Sequence, residues 1–195
     1  YRIYGAELSP YSVKVRSYFR FKQIPHQWII RSAATMDEFA KFAKLPIIPL
    51  LVTPQLEGAQ DSTLVIEQLE ALHPQDSIYP EDTTVNFVST LLEEFGDEWG
   101  NKWMFHYRWA RDIDQIASAG RIAQLTQPDA SREQLDELTD QVRQRMTGRL
   151  WFVGSNPETA PQIEASLHLA LKQLEAHLES RPYLLGGRPS FGDFS

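Results

Sequence analysis

Four hydroxyl side chains stand close together near the start of the chain, at Tyr4, Ser9, Tyr11 and Ser12. Ser9 is followed directly by Pro10, and a serine before a proline that leads into an apolar-periodic run marks a helix start. The free backbone N–H groups of such a start favour an anion. A thiolate brought in by a ligand is one such anion, and a serine hydroxyl beside it could donate a further hydrogen bond and lower the thiol's pKa. Ser9 reads equally well as a plain N-cap. Ser12 and Tyr4 are rival hydroxyls, whereas Tyr11 reads as wall rather than catalyst. A second helix start, Asp61-Ser62-Thr63, precedes Leu64, Ile66 and Leu69, and N–H groups left free there would suit a ligand carboxylate. Between the two lies Ile47-Ile48-Pro49-Leu50-Leu51-Val52, an apolar run that reads as a buried strand. Its proline leaves two readings open: a cis Ile48-Pro49 turn that exposes the backbone of Ile48, or a trans proline opening an edge strand.

The elements that must position these groups are legible from pattern. Tyr1 to Tyr4, Gln27 to Ile30 and Ile48 to Val52 read as strands, with a short fourth strand after the Pro54 to Gln60 loop. Helices are expected from Pro10, over Asp37 to Lys44 as a short piece, and from Thr63 to Leu72. The order β-α-β-α-β-β-α predicts an α/β unit with a four-stranded mixed sheet over residues 1–75. A linker over 76–84 holds Pro80, and from 85 to 195 the pattern is helical throughout. Phe87, Leu91, Phe95 and Trp99 recur every four residues, with Gly96 and Gly100 among them inviting a close approach. Trp103, His106, Tyr107 and Trp109 surround the continuing helix, so some of them must leave the core for a cleft or a subunit contact. Ser131 to Met146 forms a polar helix, and Leu167, Leu171, Leu174 and Leu178 line one face of another. Ser190 to Asp193 reads as a capping box. A helix starting there meets the last residue, Ser195, almost at once, so the helical domain is expected to lack its C-terminal end.

Composition narrows the function classes. The 195 residues carry a net charge of -7. Residues 1–75 are near neutral, with eight Lys/Arg against seven Asp/Glu, and residues 76–195 hold the excess, with eleven against nineteen. No basic stripe suits a nucleic-acid backbone, and no apolar run is long enough for a membrane span. There is no cysteine, which removes disulfides and thiolate metal sites, and the five histidines form no metal-ligand pattern. The lack of cysteine fits a cytoplasmic protein, although it is compatible with either compartment.

Ser9-Pro10-Tyr11-Ser12-Val13-Lys14-Val15-Arg16, Ile48-Pro49-x-Leu51 and Asp61-Ser62-x-x-Ile66 together resemble the thioredoxin-like domain of soluble glutathione transferases. Tyr183-Leu184-Leu185-Gly186-Gly187-x-Pro189-Ser190-x-x-Asp193 is similar to their helical-domain motif, so the resemblance runs through the whole chain in order. It implies a thioredoxin-like domain of four strands and three helices, then an all-helical domain. It also implies that glutathione is the co-substrate, with no metal. The backbone of Ile48, before a cis Pro49, would pair with the cysteinyl unit, Asp61 and Ser62 would take the γ-glutamyl end, and Ser9 would serve the thiol. Ser190 to Asp193 would nucleate folding of the helical domain. One departure concerns Ala43-Lys44-Leu45-Pro46-Ile47, where the family pattern reads Asn-Pro-x-Gly-Lys. The group holding the glycyl carboxylate is therefore open, with Lys44 and Lys41 as candidates.

In this family, reduction of mixed disulfides uses a cysteine at the position of Ser9 or Ser12, so the resemblance favours a serine-type transferase. The expected substrate is a small hydrophobic electrophile or a peroxide, as in detoxification, bound near Tyr11, Trp103, His106 and Tyr107. A glutathione-dependent isomerase and a non-catalytic binding or assembly protein are the alternatives. A homodimer is expected, pairing the near-neutral domain of one subunit with the acidic domain of the other.

Overall fold

The computed structural model describes all of residues 1–195. Strand β1 (Arg2–Gly5) pairs in parallel with β2 (Gln27–Ile30) and antiparallel with β3 (Leu50–Val52), and β3 pairs antiparallel with β4 (Gly58–Gln60). The sheet order is β2-β1-β3-β4. Helices α1 (Pro10–Phe21), α2 (Met36–Phe42) and α3 (Ser62–Leu72) complete the unit, giving the mixed α/β arrangement expected from the sequence.

Both faces of β1 are covered, with Ile3, Tyr4 and Gly5 all buried. Neighbouring side chains on a strand point to opposite faces. Ile3 joins Val15, Phe19, Leu51, Val65, Ile66 and Leu69 beneath α1 and α3, while Tyr4 joins Phe39, Leu50 and Val52 beneath α2. The segment after α3 is drawn into the first of these cores through Ile78. Buried Glu70 fixes it there: its carboxylate accepts from Tyr18 Oη (2.8 Å), Ser77 Oγ (2.9 Å) and the Ile78 N–H (3.2 Å), and pairs with Lys22 at 2.7 Å. Burial, with Glu70 alongside, pushes the Tyr18 hydroxyl's pKa far up.

The remainder is helical. Helix α4 (Thr83–Glu94) is capped by Asp82, whose carboxylate accepts from the Thr84 and Val85 N–H groups at 2.9 Å each. It runs through a π-helical turn (Phe95–Gly100) into α5 (Asn101–Trp109), followed by α6 (Asp112–Thr126), α7 (Arg132–Thr147) and α8 (Ala160–Leu178). Ser131 and Gln134 form a reciprocal capping box at the start of α7. The row Phe87, Leu91, Phe95 and Trp99 remains exposed along α4 and its π turn rather than entering a core. Leu171, Leu174 and Leu178 of α8 also stay substantially exposed. None of the helices is long and apolar enough to cross a membrane.

The last residues lie across α4. Asp193 accepts from the Ser190 N–H (2.9 Å), Ser190 Oγ (2.8 Å) and the Leu184 N–H (2.8 Å), so the expected box forms and also closes the preceding turn. Gly192 meets α4 so closely that a Cβ there would come within 2.8 Å of Leu92 Cβ and 3.0 Å of the Ser89 carbonyl. The close approach expected at Gly96 is made by Ser195; Gly100 has nothing near it.

Candidate functional site

The register of the sheet gathers the sequence motifs at one end. Tyr4 lies opposite Leu50, and Leu50 opposite Gln60. The segments after Tyr4, before Leu50 and after Gln60 therefore share one edge. They contain Ser9, Ile48-Pro49 and Asp61-Ser62 respectively.

Ser9 is the N-cap of α1 and Pro10 its first residue. Ser9 Oγ accepts from the Ser12 N–H at 3.2 Å, which leaves the hydroxyl proton available for donation. The rival hydroxyls differ in access. Ser12 and Tyr4 are both fully buried, and neither hydroxyl has a hydrogen-bond partner. Ser12 is sealed because Gly5 has no side chain: a Cβ there would lie 2.9 Å from Ser12 Cβ and 2.5 Å from the Trp28 ring. Tyr11 directs its hydroxyl to the Asp97 carbonyl at 3.1 Å, joining the two parts of the chain. Burial, aided by Asp97 and Glu98, pushes its pKa up to about 12, so Tyr11 holds its proton and serves as wall.

The Ile48-Pro49 bond is cis, and β3 starts at the next residue. The loop before it is held by Gln60, a residue that no sequence pattern singles out. The Gln60 side-chain amide accepts from the Lys44 and Leu45 N–H groups (2.9 and 3.0 Å) and donates to the Leu45 and Ile47 carbonyls (2.9 and 2.8 Å). Four bonds from one carboxamide thus tie residues 44 to 47 to the end of β4. The side chain of Lys44 is exposed, as is that of Lys41.

Asp61 adopts a left-handed φ of 78° and caps α3. Its Oδ1 accepts from the Thr63 and Leu64 N–H groups at 3.0 and 3.2 Å. These two donors, expected to be free for a ligand carboxylate, are therefore taken by Asp61 itself. Ser62 is nearly buried at the first position of the helix.

Behind α1 lies a buried charge cluster. Lys14 Nζ contacts Glu93, Asp97 Oδ2 (2.7 Å) and Thr63 Oγ1 (3.2 Å), and Thr63 Oγ1 in turn donates to Glu93 at 2.7 Å. It ties α1, α3, α4 and the π turn together.

A cavity of about 710 Å³ opens between the start of α1, the α4–α5 helices and α8. Its walls include Tyr11, Leu92, Phe95, Trp103, Met104 and Leu174. Trp103 is held by an Nε1–H bond to Ser166 Oγ at 2.7 Å. Two residues expected here, His106 and Tyr107, do not line it. His106 is buried on another face of α5, its ring nitrogens 2.8 Å from Ser155 Oγ and 3.3 Å from Glu164 Oε1. Tyr107 packs edge-on against that ring, with the Arg111 guanidinium above its own. Aromatic spacing shows that α5 has too many large residues for one face, but not which face meets the cavity. No three His, Asp or Glu side chains converge as a metal site would require.

Comparison with known proteins bears on the fold. Residues 3–77 match the family described as glutathione S-transferase, N-terminal domain. No curated protein sequence matches the chain. Among solved structures, the beta-etherase LigF from Sphingobium is similar with a TM-score of 0.69 at 18% identity, covering 99% of this chain and 79% of that one. A glutathione S-transferase from Rhodospirillum rubrum gives 0.60 at 17% identity, covering 99% and 73%. One from Methylobacterium radiotolerans, in complex with glutathione sulfonate, gives 0.53 at 18% identity, covering 99% and 74%. At such identities the likeness is one of fold. Residues 3–77 match the glutathione S-transferase N-terminal domain family, and the chain as a whole is similar in fold to solved glutathione S-transferases, a thioredoxin-like domain followed by a helical one.

Proposed function

We propose that this chain is a serine-type glutathione transferase that activates the glutathione thiol for attack on a small hydrophobic electrophile. The observation that carries the reading is the common sheet edge on which Ser9, Ile48 and Asp61 stand, fixed by the pairing of Tyr4 with Leu50 and Leu50 with Gln60. The glutathione sulfonate and glutathione in two structurally similar proteins support it. In this reading the backbone of Ile48 pairs with the cysteinyl unit. Asp61, whose Oδ1 already caps α3, offers its carboxylate to the γ-glutamyl ammonium, and Ser62 meets the neighbouring carboxylate. Lys44 or Lys41 takes the glycyl carboxylate. Ser9 is the accessible hydroxyl of the three candidates, and it donates to the sulfur while the start of α1 favours the negative charge.

The thiol proton leaves to solvent. The thiolate sulfur then forms a bond to the electrophilic carbon, and the leaving group departs with the bonding electrons, as chloride does from an aryl halide. Tyr11 and Trp103 supply the apolar wall. The same reading places the protein in the cytoplasm, where glutathione is kept reduced.

Calorimetric titration with glutathione, followed by steady-state conjugation of an aryl halide, tests the proposal. Binding with measurable turnover is expected; absence of binding at millimolar glutathione would count against it. Gln60→Ala should raise the KM for glutathione severalfold and change kcat less, because it releases the loop that presents Ile48 and leaves Ser9 in place. Equal losses in both parameters would contradict that division.

The exposed row Phe87, Leu91, Phe95 and Trp99 supports a homodimer with a mainly apolar contact. Surface charges are screened beyond a few ångströms in about 0.5 M salt. Sedimentation at micromolar protein in such salt should still give a dimer, and a monomer would rule out the apolar contact.

A further inference from the structure

Ser9, proposed above to serve the thiol, ends a turn that starts at Ala6, closed by the Ser9 N–H donating to the Ala6 carbonyl at 3.0 Å. Both residues inside that turn, Glu7 and Leu8, are held by an arginine. The Arg16 guanidinium donates to the Glu7 carboxylate through Nη1 and Nη2, at 2.6 and 2.8 Å, and lies over the Trp28 ring, 4.2 Å from its centre. These bonds hold the Glu7 carboxyl below the usual carboxylate range. Arg108 donates from Nη1 to the Leu8 carbonyl at 2.8 Å, its one hydrogen bond. The two grips differ in origin. Arg16 belongs to α1, the helix that Ser9 caps, whereas Arg108 stands in the last turn of α5, 100 residues from Leu8. Trp103 and Met104 of that same helix line the cavity. The Leu8 carbonyl and the Ser9 N–H belong to one peptide unit, whose atoms from Leu8 Cα to Ser9 Cα lie in a plane. With the oxygen held by Arg108 and the N–H by Ala6, that plane is kept from rotating. The Cα that carries the Ser9 hydroxyl is thereby fixed.

We infer that Arg108 is a positioning residue for Ser9: through this one bond the helical domain sets where the thiol-activating hydroxyl stands. This rests on the transferase reading and adds to it a residue that touches neither glutathione nor the electrophile. A charged donor bonds a carbonyl more strongly than a neutral one does. The contacts proposed for the rest of glutathione, at Ile48, Asp61 and Ser62, lie on segments that Arg108 does not touch. Arg108 therefore acts on activation of the thiol and not on glutathione binding.

The test is ultraviolet titration of the bound thiol in the protein–glutathione complex, together with steady-state conjugation of an aryl halide. The wild-type thiol should ionise about 1–2 units below its value in solution, and Arg108→Met should return about half of that lowering. The same variant should lose about tenfold in kcat, with KM for glutathione changed less than about twofold. Arg108→Lys keeps one charged donor and should restore most of both. In a Ser9→Ala background, Arg108→Met should move the thiol no further, because the two residues act as one unit. If Arg108→Met does not fold, Arg108→Gln takes its place, since the shorter amide does not reach the carbonyl. A thiol unmoved in the folded variant, shifts that simply add in the double variant, or a loss confined to KM would overturn the assignment. The two readings fail separately. A lowered wild-type thiol that the Arg108 variants leave in place defeats the Arg108 assignment alone. A protein that binds no glutathione, or a complex whose thiol ionises as in solution, defeats the transferase reading and the Arg108 assignment with it.

Discussion

Lys14→Met should lower the unfolding free energy by about 3–5 kcal/mol, because removing one partner leaves buried charge without compensation. The Lys14 ammonium sits between Glu93 and Asp97 and is itself almost wholly buried, as is Glu93. Methionine fills much of the volume but cancels neither carboxylate. Thr63, which donates to Glu93 and contacts Lys14, would lose its setting as well. Because the cluster joins α1 and α3 to α4 and the π turn, the loss should appear as a shift of the whole urea transition to lower denaturant. Adding Glu93→Gln to Lys14→Met should recover part of the loss, since one of the stranded charges is then gone. A single-variant loss below about 1 kcal/mol, the range of surface pairs, would show that the cluster is hydrated in solution.

Ser9→Ala should reduce aryl-halide conjugation at least tenfold while leaving glutathione affinity nearly unchanged. On the proposed reading the hydroxyl donates to a thiolate, whereas the remainder of the tripeptide would be held by Ile48, Asp61 and Ser62. Loss of one preorganised donor to a developing anion commonly costs about 3–4 kcal/mol in the transition state, which leaves room for a larger fall. The accompanying loss of the N-cap is about 1 kcal/mol of stability, so the variant should still fold. Steady-state kinetics with calorimetry separates the two roles. Unchanged turnover would remove Ser9 from the chemistry and require an opening of the structure that brings buried Ser12 or Tyr4 to the thiol.

The chain's local signals account for much of this. Serine before Pro10, Asp61 before a helical repeat and Ser131 three residues before Gln134 each mark a helix start through backbone N–H groups that need an acceptor, and all three start helices. β3 is legible as an uninterrupted apolar run because it is buried on both faces, Leu51 toward one core and Leu50 and Val52 toward the other. Local pattern does not reveal which groups meet across long separations. Gln60 looks like any polar residue at a strand end, and its hold on residues 44 to 47 depends on a hairpin closing beside α2. Arg108 and Lys14 give no local sign of their partners, which lie 49 to 100 residues away. His106 departs from expectation for a related reason: aromatic spacing describes a helix's own surface, while Ser155 and Glu164 decide which side of it is core. The N–H groups expected to be free at α3 are taken by the Asp61 carboxylate acting as N-cap, as Asp82 does at α4.

If the start of α1, with Ser9, stabilises a glutathione thiolate, the ionisation of the bound thiol must show it. Ultraviolet difference absorbance of the thiolate, followed against pH in the protein–glutathione complex, measures this directly. A free thiol of this kind ionises near pH 8.5. The bound thiol should ionise about 1–2 units lower, and Ser9→Ala should return at least half of that shift. A thiol that ionises in the wild-type complex as it does in solution would contradict the account.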